Sequence, residues 1–197
     1  AYAQEASVIL RQKADKGSLL EKLNVGLPED IRILRIQEVE DNFHARKSAC
    51  GKCYIYYVDL REKADVFTRK YTYHFSKKMD IDRIRKAAGH LQGTHDFSSF
   101  TDLKDSVDTI RTIYKINVEC DGNIMKFSFY GDGFLYHMVR ILTGTLLDVG
   151  TGRIGPEQIP AILAAKDRAW SGFPAPARGL FLKKVYYKPE EMPDFKV

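Results

Sequence analysis

The chain has 197 residues, of which 44% are hydrophobic, 29% charged and 12% aromatic, a globular composition that excludes a mostly disordered chain. Its formal net charge is +5 at pH 7, a moderate basic excess that tolerates a polyanionic partner without demonstrating one. No apolar run approaches the roughly 18–20 residues of a membrane span, which excludes a helical transmembrane protein.

Taken in chain order, residues 4–11 read as a strand with Ala6, Val8 and Leu10 on one face. Residues 18–24 read as a short helix, ended at Leu27-Pro28 because a proline pushes the residue before it out of helix space. Residues 31–39 alternate Ile31, Ile33, Arg35, Gln37 and Val39 with Arg32, Leu34, Ile36 and Glu38, a second strand pattern. The polar run Glu40-Asp41-Asn42 marks a boundary, giving units 1–41 and 42–197. Beyond it, residues 54–60 are aromatic and β-branched and predict a strand, as do residues 71–75. Asp80 is placed to cap a helix whose apolar positions Ile81, Ile84, Ala88 and Leu91 share a face, closed by Gly93. Residues 109–119 and 124–130 flank Asp121-Gly122, a hairpin signal. A long helix is predicted from Phe134 to about Val149, another from Pro156 to near Lys166, and a last strand over 180–187. Helices interleaved with antiparallel strands define an α+β class, expected as a mixed, mainly antiparallel sheet with helices packed on one side.

Charge is concentrated. Residues 61–90 hold nine basic residues, including Lys63, Lys70, Lys77 and Lys78, against four acids, so that segment alone carries the net +5. Charge by itself fits a solvated face; with Phe67, Tyr71 and Tyr73 interleaved it also fits a phosphate-binding patch.

Two short patterns carry less than they suggest. Cys50-Gly51-Lys52-Cys53 has redox or half-zinc spacing, but Cys120 is distant, no histidine pair completes a metal site, and the motif precedes a strand instead of opening a helix. An odd count of three cysteines also argues against a disulfide framework and for a reducing, cytoplasmic setting. Gly131-Asp132-Gly133 lacks the further residues of a phosphate loop and reads as a turn. The N-terminus, Ala1-Tyr2-Ala3-Gln4-Glu5, has neither an initiator Met nor a signal peptide's basic lead, and reads as a start inside a larger protein.

The helix at 134–149 says more. Phe134, Leu135, Met138, Leu142, Leu146 and Val149 form a broad stripe, extended by Val139, Ile141 and Leu147, leaving Tyr136, His137, Arg140 and Gly144 on a narrow edge. A helix this apolar is buried, and a charge on it is costly unless paired, so Arg140 is expected to meet a carboxylate or phosphate or else to reach solvent. Gly144, one turn further, would admit another backbone. Tyr54 opens the aromatic strand, as a core ring or as a platform for a nucleobase.

Several segments together carry a resemblance. Phe43-His44-Ala45-Arg46-Lys47-Ser48-Ala49 with Lys52-Cys53-Tyr54-Ile55-Tyr56, Gly93-Thr94-His95-Asp96-Phe97-Ser98-Ser99-Phe100, Phe134-Leu135-Tyr136-His137-Met138-Val139-Arg140 with Gly144, Ala164-Ala165-Lys166-Asp167-Arg168, and Ala175-Pro176-Ala177-Arg178-Gly179-Leu180 follow one another in family order. The chain resembles the TruA-type tRNA pseudouridine synthases over nearly its whole length. The resemblance implies a pseudouridine synthase fold of two ferredoxin-like halves, with 1–41 the remainder of the N-terminal domain and 42–197 the C-terminal domain. It implies isomerisation of uridine to pseudouridine in the anticodon stem-loop of tRNA, by a homodimer, without cofactor or metal, on a base flipped out of the stack. It makes Tyr54 the ring that stacks on uracil and Arg140 the partner of the catalytic aspartate. It places Phe43, His44, Arg46, Lys52, His137 and Leu180 at the substrate, and with RNA as the partner the charge-rich segment is expected to set Lys63, Lys70, Lys77 and Lys78 along the RNA backbone.

Two departures accompany it. The family's GRTDxGVH loop, which bears the nucleophilic aspartate, is absent; the chain is expected to start just beyond it and to be inactive by itself, since neither Asp96 nor Asp132 stands in that motif. Cys53 occupies a position usually held by arginine, with the expected loss of a phosphate contact. A non-catalytic RNA-binding module of the same fold is the alternative from another class, and a thiol oxidoreductase using Cys50 and Cys53 a weaker third.

Overall fold

The computed structural model describes residues 2–103 and 108–195, which fall into two compact units, residues 5–48 and residues 49–195 with 2–4. The larger is a sheet covered by helices. Its strands are β1 (Gly51–Asp59), β2 (Tyr73–His74), β3 (Gly93–Asp96), β4 (Ile110–Asp121), β5 (Ile124–Gly131) and β6 (Leu180–Tyr186). They run in the order β2-β1-β5-β4-β3, with β6 also paired to β1. Only the short β1–β2 pairing is parallel; the others are antiparallel, so the expected mixed, mainly antiparallel sheet is present.

Alternation along β1 sorts its two faces. Tyr56 and Val58, with Tyr54 beside them, belong to the main core, whereas Cys53 and Ile55 pack with Tyr186 on the opposite face. The main core gathers α2 (Ile81–Leu91), α3 (Met138–Gly150) and α4 (Ile159–Ala165) against Phe127, Phe129 and Ile116 of the sheet. Helix α2 is the expected one: Asp80 accepts from the amides of Asp82 and Arg83, a cap worth about 1 kcal/mol. It buries Ile84, Ala87, Ala88 and Leu91. It ends at Gln92, and Gly93, the expected stop, follows at φ +104° and opens β3.

Two helix boundaries shift for local reasons. The long helix starts at Met138, not Phe134, because His137 sits in the left-handed region at φ 59° and turns residues 134–137 into a corner. Pro156 opens a single 3-10 turn, and α4 follows from Ile159. The hairpin at Asp121-Gly122 and the final strand stand where the sequence puts them, while the strand expected at 71–75 is reduced to Tyr73–His74.

The smaller unit departs most from expectation. Its helix α1 (Lys16–Gly26) is present, capped by Asp15. Neither 4–11 nor 31–39 is a strand. A strand persists only where a neighbour accepts its ladder, and no described residue pairs with either segment; Ile9 and Leu34 are correspondingly exposed. What orders 31–39 is Asn24, whose side chain brackets the backbone of Ile33 at 2.8 and 3.0 Å. Among the described residues no helix is long and apolar enough to cross a membrane.

Candidate functional site

Helix α3 is the scaffold of the site. All of its residues except Arg140 are buried. The sequence demanded a partner for that guanidinium, and the structure supplies a carbonyl: Arg140 Nε donates to the Ala175 oxygen at 2.6 Å. Among the described residues no ion pair involves Arg140, and its terminal nitrogens make no hydrogen bond.

Residues 171–176 are fastened along this edge of α3. The Gly172 amide donates to Thr145 Oγ1 at 2.9 Å and the Ala175 amide to the Arg140 carbonyl at 3.0 Å. Gly144 does admit another backbone: a Cβ there would collide with the carbonyl of Phe173. The Tyr56 hydroxyl donates to the Pro176 carbonyl at 2.6 Å. Gly179 passes so close to Tyr56 that a Cβ would lie 2.7 Å from its ring. The chain then enters β6 with Leu180 opposite Tyr56 and Leu182 opposite Tyr54.

Tyr54 is half-buried on the helix-covered face, its ring edge-on to Phe134 at 5.3 Å between centroids. Burial alone pushes its phenol up, so it stays neutral. Burial pushes Tyr56 higher still, against the opposing fields of Arg140 and Arg178. Tyr54, Arg140 and Leu180 thus all pack on or extend from one core, with Tyr56 linking them: two positions from Tyr54, across from Leu180, and sharing the 175–176 segment with Arg140. Lys52 precedes Tyr54 by two positions on β1. Sequence reasoning missed the part played by Tyr56, although its period-two spacing from Tyr54 puts both on one face.

His137 sits at the corner before α3. Its Nδ1 lies 2.7 Å from Asp102 Oδ2, Asp102 Oδ1 accepts from Arg168 Nε at 2.9 Å, and Tyr136 stacks on the imidazole at 3.8 Å. Partial burial pulls the Asp102 carboxyl up, but the bonds from His137 and Arg168 outweigh it and hold it down. Nothing in the local sequence marks Asp102; it lies 35 residues from His137.

Phe43, His44 and Arg46 lie in the smaller unit. Phe43 lines an open hollow with Val39, Glu40, Asn42 and Ser48. His44 organises its own turn, Nδ1 accepting the Arg46 amide at 3.1 Å while its amide donates to Ser48 Oγ at 3.0 Å.

Of the basic segment, Lys63, Arg69, Lys70, Lys77 and Lys78 are exposed. Lys77 rests its ammonium 5.6 Å from the Phe75 ring. Arg61 is spent internally on Asp59 and Asp65, at 2.8 and 3.1 Å, so it is no phosphate contact. Cys53 is buried, and burial pushes its thiol up, away from the thiolate that redox chemistry needs. Cys50 packs against the same cluster as Cys53, and its Sγ lies 3.3 Å from the Tyr186 carbonyl. An exposed phosphate contact is therefore not what the Cys53 position itself offers.

The profile of a family described as tRNA pseudouridine synthase matches residues 87–188. A protein named tRNA pseudouridine synthase A from Bacillus subtilis is 46% identical over 166 residues, which is 84% of this chain and 67% of the relative. Proteins of the same name from Clostridium kluyveri and Acetivibrio thermocellus are 46% and 45% identical, each over 84% of this chain and 68% of the relative.

Proposed function

The chain belongs to the tRNA pseudouridine synthase family, and from that premise we propose that its α3 edge and β1 form the wall on which a target uridine is held. Such enzymes are isomerases: the bond from C1′ to N1 of uracil breaks, the base turns, a bond from C1′ to C5 forms, the C5 proton leaves and N1 takes up a proton in its place. No atom is gained or lost, and no cofactor is called for. The observation that carries the reading is Arg140, the one residue of a buried helix left unburied, with Nε tied to Ala175 and its terminal N–H groups unspent. Those groups suit the carboxylate of a catalytic aspartate, which they would keep ionised as a nucleophile.

Tyr54 serves as the stacking face for uracil and is the candidate for the later proton transfer from C5, for which its phenol, held protonated by burial, must hand on its own proton as it takes the one from C5. Leu180 packs against the flipped base. His137, Lys52, Phe43, His44 and Arg46 contribute to substrate binding, and Lys63, Lys70, Lys77 and Lys78 to the phosphate backbone. On the same reading the substrate region is the anticodon stem-loop, the enzyme is a cytoplasmic homodimer, and residues 42–197 constitute the C-terminal domain.

The test is release of tritium from tRNA labelled with 5-tritiated uridine, using the full-length protein. Release with wild-type protein and its loss in Arg140→Met support the assignment. Tight tRNA binding without release leaves the non-catalytic RNA-binding module. Release that persists in Arg140→Met removes Arg140 from the reaction.

A further inference from the structure

The loop between β1 and β2 ties Asp59 and Asp65 to Arg61 and turns Lys63, Arg69, Lys70 and two apolar side chains outward. Asp59, 1% exposed at the end of β1, accepts from Arg61 N and Nε at 3.1 and 2.8 Å and from the Asp65 amide at 3.3 Å. Asp65 in turn accepts from the Phe67 amide at 2.9 Å and from Thr68 Oγ1 at 3.1 Å, and pairs with Arg61 at 3.1 Å. The imidazole of His74 closes the brace, Nε2 lying 2.8 Å from the Arg61 carbonyl oxygen. The hydrogen bonds to Asp59 and Asp65 hold both carboxyls down, against the pull of burial at Asp59, so the brace is charged at neutral pH.

Beyond it stand Val66 and Phe67, 67% and 88% exposed. A braced backbone keeps this ring from folding back onto the sheet. Around it Lys63, Arg69 and Lys70 are exposed, and among the described residues none of them forms an ion pair; Glu62 is the one exposed acid between 61 and 71. An exposed apolar ring on a braced backbone, rimmed by charge of one sign, complements a partner that carries flat apolar faces and negative charge together. Nucleic acid bases on a phosphate chain have that chemistry.

We propose that the 61–71 loop is a tRNA-contacting element in which Phe67 stacks on an unpaired base while Lys63, Arg69 and Lys70 take the adjoining phosphates. This rests on the tRNA reading above and adds to it a contact distinct from Tyr54. Stacking uses the π face that every base has, so the contact is tolerant of sequence and contributes grip more than selectivity.

In the full-length protein, Phe67→Ala should weaken binding of an unmodified tRNA transcript by about fivefold or more at fixed salt, with the thermal unfolding midpoint unchanged. Phe67→Trp should keep the Kd within about twofold, and emission from the added indole should be quenched by tRNA. Equal tRNA affinity for wild type and Phe67→Ala overturns the proposal while leaving the enzyme assignment standing. Loss of self-association in Phe67→Ala, with tRNA affinity intact, also overturns it and makes the loop a subunit contact. Failure of the folded wild type to bind or modify tRNA removes the enzyme reading itself, and this proposal with it.

Discussion

Tyr56 and Arg140 grip consecutive carbonyls, those of Pro176 and Ala175, each at 2.6 Å. One donor comes from the middle of the sheet and the other from the helix above it, so the intervening segment is tied to both layers just before it becomes β6. Tyr56→Phe should therefore cost about 1 kcal/mol in denaturant unfolding. It should also slow turnover more than it weakens tRNA binding, because Leu180 lies opposite Tyr56. Unchanged stability and unchanged single-turnover rate would show that the clamp holds nothing in place.

Tyr54→Leu keeps bulk on β1 but removes the flat ring and the phenol. Turnover should fall by about a hundredfold, the scale of lost proton-transfer catalysis, while the tRNA Kd moves far less. Single-turnover kinetics with a parallel filter-binding titration separate the two, and a wild-type rate would remove Tyr54 from the site.

Gly144→Ala places a methyl group against the carbonyl of Phe173, a backbone atom that cannot rotate away. The strap must lift or α3 must move, at a cost of roughly 1–3 kcal/mol. A midpoint of thermal unfolding that stays within a degree of wild type would contradict the close approach.

Neutralising Lys63, Lys70, Lys77 and Lys78 together should weaken tRNA binding and flatten its salt dependence. If each contacts one phosphate, the slope of log K against log salt should fall by about 3, near 0.7–0.9 per contact. An unaltered slope would make the patch a solvated face.

Asp96 accepts from the Ser98 amide, Ser98 Oγ and Thr109 Oγ1 and pairs with Lys166 at 2.9 Å. The bond from Ser98 Oγ is the largest cause, and together these hold its carboxyl far below the ordinary 3.8. A depressed folded-state value stabilises the fold above the unfolded value and is lost as pH falls from about 4 toward the folded one. Asp96→Asn should therefore lower stability at pH 7 and narrow its gap to wild type as the pH is taken down from 4. Urea unfolding at pH 7, 4 and 3 checks the sign.

Much of the larger unit was legible because its signals are local. Asp80 announces α2, Asp121-Gly122 announces the hairpin, and the greasy stripe announces a buried α3. Even the approach at Gly144 follows from a missing side chain beside a needed charge. What escaped depends on distant residues. Asp102 meets His137 across 35 positions, and the left-handed turn at His137 has no glycine to advertise it. The alternation at 31–39 is real, yet alternation describes a face, and a strand also needs a neighbour. For Arg140 the requirement for a partner was readable, but backbone carbonyls carry no sequence signature.

The strap along α3, residues 171–176, is fastened at Ser171, Gly172, Ala175 and Pro176 by bonds within the chain. Ordering a loop on association subtracts from affinity, and a segment that is already set avoids that loss. If the proposed uridine wall is built on it, that side is preorganised, and association through this region should show little of the entropic penalty that marks a closing lid.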